Sequence, residues 1–385
     1  MKLRNIALIV VSFLLLTGCW NKVELPQKAF IMGVAIDQSE NGKIQLTLQI
    51  YKPKGRKGGE GGTSSFNVVT TGNTLFEAVR DITMNVGRTA QWSHLRTVIV
   101  GEALAKSRNV GEVLEFFSRD HEPRLTAHFI IAKGKAADYM QLKPFIENTE
   151  SQQFLQMERT SYENSSKTLE VTLLQLILQF RNQSGTVMAP YLYMYKHDKT
   201  TTPVVAGVAL LQKGKMVDLV SPKDLKAVLM LRNHYKAGII QIPCSLQDEK
   251  PNQKMDSIEV LTLETKISPR IVGDSLTVYV HTKITGMIGE LNCTDLKTAK
   301  DDQKFINKVE HIVKQSLLDN IELLQKKKAD VLEIGDKIYT QNPRKWMKWR
   351  ADWNDRFAES KFVVDVELKL ISSGTSISKP FYSNN

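Results

Sequence analysis

Alternation is the clearest pattern near the start of the chain. Ile44, Leu46, Leu48 and Ile50 alternate with Lys43, Gln45, Thr47 and Gln49, the period of a strand with one buried face. Phe30, Ile31, Val34 and Ile36 form an apolar segment just before, and Asp37 to Gly42 is a polar turn. Residues 29–36 and 43–51 therefore predict a hairpin. A strand over 66–71 follows. Asn73 or Thr74 then caps a helix carrying Leu75, Phe76, Val79, Ile82 and Val86 at helical spacing. Val98-Ile99-Val100 reads as a buried strand closed by Gly101, residues 109–118 as a short helix, and Leu125 to Ala132 as another strand. From Thr168 to Phe180, Leu169, Val171, Leu173, Leu174, Leu176, Ile177 and Phe180 mark an amphipathic helix. Such interleaving argues for layered α/β or α+β structure.

The second half changes rhythm. Val204 to Leu211 and Lys215 to Val220 predict strands around a Lys213-Gly214 turn, and Pro222 opens a short helix through Leu231. Longer strands follow at about 257–268 and 275–288, separated by Ser268-Pro269 and Gly273-Asp274. Phe305, Val309, Ile312, Val313, Leu317, Ile321 and Leu324 then recur every three or four residues, with Lys304, Lys308, Glu310, Lys314 and Glu322 mainly on the other face. This is a long amphipathic helix lying on a sheet. Asn342-Pro343 starts a helix carrying Trp346, Trp349 and Trp353, and Phe362 to Leu370 alternates as a final strand.

These elements predict a multi-domain chain of α/β to α+β class, with mixed sheets flanked by helices. The C-terminal domain is expected to hold the larger, mostly antiparallel sheet, packed by the long helix. Residues 183–202, with Pro190, Tyr191, Tyr193, Tyr195 and the polar Lys196 to Thr202, read as a crossing between domains. The expected division is a leader over 1–18, an N-terminal α/β region over 19–198 with room for two subdomains, and a C-terminal domain over 199–385. Residues 372–385 read as a frayed end.

The leader has its own pattern. Lys2 and Arg4 precede an apolar run from Ile6 to Leu16, and Leu16-Thr17-Gly18-Cys19 closes it. That is the layout of a secretory signal peptide; the run is too short for a bilayer span of ~20 residues. Small residues before a cysteine fit a lipoprotein cleavage site. Cys19 is thus expected to carry a diacylglyceryl group and fatty acyl chains such as palmitate, and to tether the body to the outer face of a bacterial cytoplasmic membrane. Two chains give stable anchoring where one does not.

Composition adds little beyond that. The chain has 385 residues, with 52 basic and 41 acidic. Two basic residues leave with the leader, so the remaining 367 residues carry 50 against 41, a balance of +9. A basic surface favours anionic partners. Export, and the lack of a basic stripe interleaved with aromatics, argue against nucleic acid. The glycine-rich stretch 52–65 matches neither phosphate-binding glycine pattern and reads as a basic loop. Cys244 and Cys293 permit a disulfide outside the cell, but their spacing does not specify one, and two buried free thiols are the expectation.

No catalytic constellation stands out. His121-Glu122-Pro123 is not a zinc-protease motif, because residue 125 is Leu. No nucleophile elbow occurs. Arg119, Asp120, His121, Glu122 and Arg124 read as a charge-paired loop. The expectation is a protein that is not an enzyme, with no cofactor and no metal.

Several short stretches, taken in order, resemble one family. Gly18-Cys19-Trp20, Glu24-Leu25 and the Ile31–Asp37 strand are similar to the start of the Ger(x)C spore germination lipoproteins, with Asn21 where that family usually has Asp. Ser93-His94-Leu95 before Val98 to Glu102, Arg119-Asp120 through Arg124-Leu125, Ile131 to Ala136, and Ile334 to Tyr339 with Pro343 and Trp346 are similar to its later signatures. The resemblance implies a three-domain α/β fold and a C subunit of a nutrient germinant receptor, without established enzymatic activity. It also implies two integral membrane subunits as partners and a place in the spore inner membrane. It carries over no ligand-binding residue, and only Cys19 transfers as a modified position. A solute-binding lipoprotein feeding a transporter is the alternative; it would ask for two doubly wound lobes around a cleft.

Overall fold

The computed structural model describes residues 27–52, 65–120, 122–245 and 254–371. The leader with Cys19, most of the glycine-rich stretch, His121 and the tail from residue 372 lie outside the described residues.

A nine-stranded sheet organises the first half. Its centre is β1 (Lys28–Gln38), β5 (Thr97–Gly101), β6 (His128–Ala132) and β7 (Thr186–His197), all parallel. β2 (Ile44–Tyr51) and β3 (Ser65–Gly72) extend it antiparallel beyond β1, and the short β4 (Thr89–Gln91) also pairs with β1. On the far side, β8 (Thr200–Gln212) and β9 (Lys215–Val220) extend it antiparallel beyond β7. Central parallel strands are covered on both faces, which is why Val98-Ile99-Val100 and Phe129-Ile130-Ile131 are apolar without alternation. Val34, Val98, Val100, Phe129 and Ile131 join the main core. Their neighbours Ala35, Ile99, Ile130 and Leu192 face a smaller core with Tyr139, Met140 and Phe154.

The helices of this half are α1 (Leu75–Val86), α2 (Glu102–Ser107), α3 (Gly111–Arg119), α4 (Ala136–Tyr139), α5 (Glu150–Ser165) and α6 (Leu173–Phe180). Of the two expected caps for α1, Thr74 serves, its hydroxyl accepting from the Glu77 amide. The helix expected over 168–180 starts only at Leu173, because Thr172 and Gln175 form a capping box. Leu169 and Val171 are buried outside it. Helix α5 escapes hydrophobic periodicity because Glu150, Ser151 and Glu158 sit on its buried face with Phe154, Leu155 and Tyr162.

Most of the segment 183–202 folds as the facing strands of the β7–β8 hairpin, Thr186–His197 and Thr200 onward. The tyrosines at every second position are strand residues. Residue 198 falls in the hairpin turn, where Asp198 has φ 49°, and the same sheet continues through β9.

The second sheet runs β10 (Ile239–Pro243), β11 (Met255–Val272), β12 (Ser275–Glu290), β13 (Lys361–Ile371). Its strands are longer than expected but only four in number, so the C-terminal sheet exceeds the other in strand length and not in strand count. It is antiparallel except for the β12–β13 pair. Pro269 does not interrupt β11, pairing opposite Val278. Past Glu259 the β11 strand has β12 as its one neighbour, and proline is tolerated on such edges. Helix α8 (Ala299–Lys326), capped by Thr298 and Asp301, lays Phe305, Val309, Val313, Leu317, Ile321 and Leu324 on this sheet. Helix α7 (Pro222–Leu231) wedges between the sheets, packing on β8, β11 and α8. Helices α9 (Ile334–Gln341), α10 (Pro343–Trp349) and α11 (Trp353–Glu359) complete the crossover from α8 to β13.

Cys244 and Cys293 form a disulfide, with Cα atoms 5.8 Å apart. This corrects the expectation of buried thiols: Cys244 is half-buried and Cys293 exposed. Strand register decides it. Pro243 pairs with Met255 and Ser257 with Glu290, which brings the two chain ends together. Buried Asp256 holds the second end, accepting from the Asn292 and Cys293 amides and the Thr294 hydroxyl at 2.6, 3.0 and 2.5 Å.

Candidate functional site

Two groups of the stretches that carry the resemblance, Val98–Glu102 with Ile131–Ala136 and Ile334–Tyr339 with Trp346, meet other parts of the chain at two places. The first lies at the carboxyl ends of the parallel strands, where open α/β sheets place ligands. Here the chain fills the position itself. Buried Asp37 closes β1 and accepts from the amides of Ala136 and Ala137 at 2.8 and 2.9 Å, the first turn of α4. Burial raises its pKa, against the pull of those two amides. Gly101, at the end of β5, has no side chain because a Cβ there would overlap Asp37 Oδ1. The Glu102 amide bonds the Gly134 carbonyl at 3.2 Å. The Glu102 carboxylate meets Lys106 at 2.5 Å and the Tyr191 hydroxyl at 3.2 Å. Desolvation pushes the Glu102 pKa up, but Lys106 and Tyr191 outweigh it, and the net shift is down.

The second place joins the two halves. Asp330 is fully buried and accepts from the amides of Ile334 and Gly335 and from Trp353 Nε1, at 3.0, 2.8 and 3.1 Å. Desolvation pushes its pKa up to about 6 despite those bonds. One turn on, Asp336 accepts from the amides of Gln183 and Ser184. Trp346 Nε1 donates to Gln183 Oε1 at 3.0 Å, and Asn182 reaches Glu333. The Ile334–Tyr339 signature and its tryptophan thus clamp α9 and α10 onto the loop between α6 and β7.

A buried pair lies behind the first sheet. His128 Nδ1 is 3.0 Å from Glu158 Oε2, and both residues are shut off from solvent. Glu158 Oε1 accepts from the Val171 amide at 2.7 Å. Glu170 lies 3.6 Å from His128 Nε2 and pairs with Arg159 at 3.2 Å. Burial pushes the Glu158 pKa up to about 7, against the lowering effects of His128 and the Val171 amide. The folded chain therefore keeps a proton that the unfolded chain releases. The stability this brings is full below about pH 4.5 and is lost as pH rises through about 7. Glu158→Gln keeps an oxygen for Val171 and has no charge to bury. Its unfolding free energy, measured by urea titration, should gain on that of the native chain steadily between about pH 5 and 7.5. Parallel pH curves for the two proteins would contradict the assignment.

A cleft of about 490 Å³ opens beside this pair, lined by α5, α6 and residues 232–236. Two of its charged residues are paired, Arg232 with Glu333 at 2.5 Å and Glu170 with Arg159, and Lys236 stands over the Tyr162 ring. Tyr162 and His234 line it too, and the Tyr162 hydroxyl donates to the His234 carbonyl at 2.9 Å.

Arg119 pairs with Glu115 on its own helix. The Glu122 amide bonds Asp120, and its carboxylate reaches the Trp92 amide at 3.5 Å, so this segment is a pinned turn. Cys244, Asp256 and Cys293 cluster within 4.8 Å, but the sulfurs are spent on each other. Asp37, His128, Glu158 and Asp330 were not singled out from sequence as site residues. Lone titratable residues in apolar runs carry no spacing signal; only Glu158, in helical step with Phe154, Leu155 and Tyr162, offered one.

Two family models cover the chain nearly end to end. The spore germination protein N-terminal domain matches residues 21–194, and the spore germination B3/GerAC-like C-terminal domain matches residues 206–374. The chain belongs to the GerAC spore germination family. Among GerAC relatives, spore germination protein B3 of Bacillus subtilis (strain 168) is 25% identical, over 95% of this chain and 97% of its own length. Spore germination protein KC of the same organism is 25% identical, over 94% of this chain and 93% of its own. In fold, the chain is similar to the crystal structure of the GerBC protein, with a TM-score of 0.55 and 20% identity over 88% of this chain and 97% of that one.

Proposed function

We propose that the chain is a lipid-anchored, non-catalytic subunit of a spore nutrient germinant receptor, held on the outer face of the spore inner membrane beside two integral membrane subunits. The observation that carries this reading is the placement of Cys19. It ends a secretory leader, and the family match begins two residues later. Among the described residues no helix is long and apolar enough to cross a membrane; in this reading the attachment is the lipid on Cys19. The described carboxylates Asp37, Asp330 and Glu158 are spent on the chain's own amides, indole and imidazole. This suits a rigid body that works by contact. The transporter-binding alternative asks for two doubly wound lobes, and the C-terminal sheet has one parallel pairing in four strands.

The test is Cys19→Ala. Membrane fractionation should find the variant released or retained with its leader, and mass spectrometry should find no diacylglyceryl group. Germination should fall in a strain without redundant receptors. Normal germination of that strain would refute a need for the anchor, and an unmodified Cys19 in the native protein would refute the anchor itself.

A further inference from the structure

A second cavity, about 830 Å³, lies where the β7–β8 hairpin meets α7, β10 and α8. Its body is apolar, with Tyr193, Val204, Met230, Ile240 and Val313 among its walls. Lys167, Lys223 and Lys226 stand around it, and none of the described residues lining it is acidic. Among the described residues none of these three lysines has a carboxylate within 4 Å; Lys226 reaches only the Ile239 carbonyl, at 3.5 Å. Desolvation lowers the Lys226 pKa and neighbouring Lys167 lowers it further. Among the described residues the cavity therefore holds uncompensated positive charge over an apolar floor, whereas the cleft near Arg232 has carboxylates, Glu170 and Glu333, in its own lining.

We propose that this groove takes the headgroup and first acyl segment of an anionic phospholipid, so that the body lies against the membrane on this face.

Three features select that occupant. Charge complementarity calls for an anion, since basic residues at a membrane surface favour anionic headgroups. The apolar walls call for a greasy segment next to it. The volume decides between lipid and peptide: a helix about 10 Å across rises 5.4 Å per turn, so the cavity holds under about two turns of an acidic helix, too little for stable docking. The hairpin beyond the groove continues the same chemistry. Met194 and Tyr195 are exposed there beside Lys196 and Lys199, with Asp198 at the turn. Tyrosine and lysine together are the residues that settle at headgroup level.

The test uses the purified full-length chain in a neutral detergent, by native mass spectrometry. Dioctanoyl-phosphatidylglycerol, dioctanoyl-phosphatidylcholine and glycerol 3-phosphate are titrated separately. The expected result is one retained phosphatidylglycerol, with phosphatidylcholine and the bare headgroup phosphate each binding at least about tenfold more weakly. The triple variant Lys167→Gln, Lys223→Gln, Lys226→Gln should bind phosphatidylglycerol roughly a hundredfold more weakly, about fivefold per lysine, at an unchanged unfolding temperature. Equal binding of the two lipids, undiminished binding by the triple variant, or glycerol phosphate matching the lipid would each overturn the proposal. The first and third comparisons use the native chain and do not depend on the variant folding. Repeating them on the Cys19→Ala protein separates this site from the anchor.

Discussion

An Asp330→Ala protein should lose about 4–6 kcal/mol of folding free energy, read by urea unfolding with tryptophan fluorescence. The carboxylate satisfies three donors where no water reaches: the amides of Ile334 and Gly335 and the indole of Trp353. Each buried donor left without a partner costs about 1–3 kcal/mol. Alanine leaves all three bare and opens space beneath Trp346 and Trp353, whose rings meet edge to face 5.1 Å apart. Asp330→Asn should cost roughly half as much, because one oxygen remains and the new NH₂ group opposes a donor. The order alanine worse than asparagine separates hydrogen bonding from charge. Burial already raises the Asp330 pKa to about 6, so removing the charge alone should not harm the fold at neutral pH. A loss under about 1.5 kcal/mol for alanine would mean that the clamp is not what secures α9.

Gly101→Ala should cost about 3–5 kcal/mol, a large effect for one methyl group. The added carbon overlaps Asp37 Oδ1 and comes within 3.1 Å of the Gly134 carbonyl. Overpacking of a tight core costs about 1–3 kcal/mol. Displacing Asp37 also strips acceptors from the Ala136 and Ala137 amides, at about 1–3 kcal/mol for a buried unpaired group. The backbone at Gly101 is extended, with φ −68°, so strain in the peptide is not the cause. Asp37→Ala in the Gly101→Ala background should therefore cost little more than Gly101→Ala alone, since the two share one contact. Additive losses in this double-mutant cycle would show that glycine and aspartate act independently.

Both experiments address the same property of the family signatures. Gly101 and Trp346 lie in short motifs, and each is a packing or hydrogen-bonding partner of a residue far along the chain, Asp37 and Gln183, whereas Gly335 packs within its own crossover segment. A Cβ on Gly335 would press on the Trp346 and Trp353 rings. Of these three, Trp346 ties the crossover helices to the first half through Gln183.

Local sequence was sufficient wherever one face of an element is buried and the other wet. The β1–β2 hairpin, the long α8 helix, β13 and the Thr74 and Pro222 helix starts were legible for that reason, because period and cap are properties of neighbouring residues. The leader and Cys19 lie outside the described residues. Tertiary structure alone decided the rest. Helix α5 hid because its inward face carries Glu158 for His128 and Ser151 for Gln49, a choice made by partners 30 and 102 positions away. The β7–β8 hairpin hid because its polar tip projects past the sheet. The Cys244–Cys293 bond followed from strand register, and the lysine-rimmed groove from bringing Lys167 and Lys226 together across β7 to β9. Periodicity records that a side chain is buried; which distant group it is buried against is fixed only when the whole chain has folded around it.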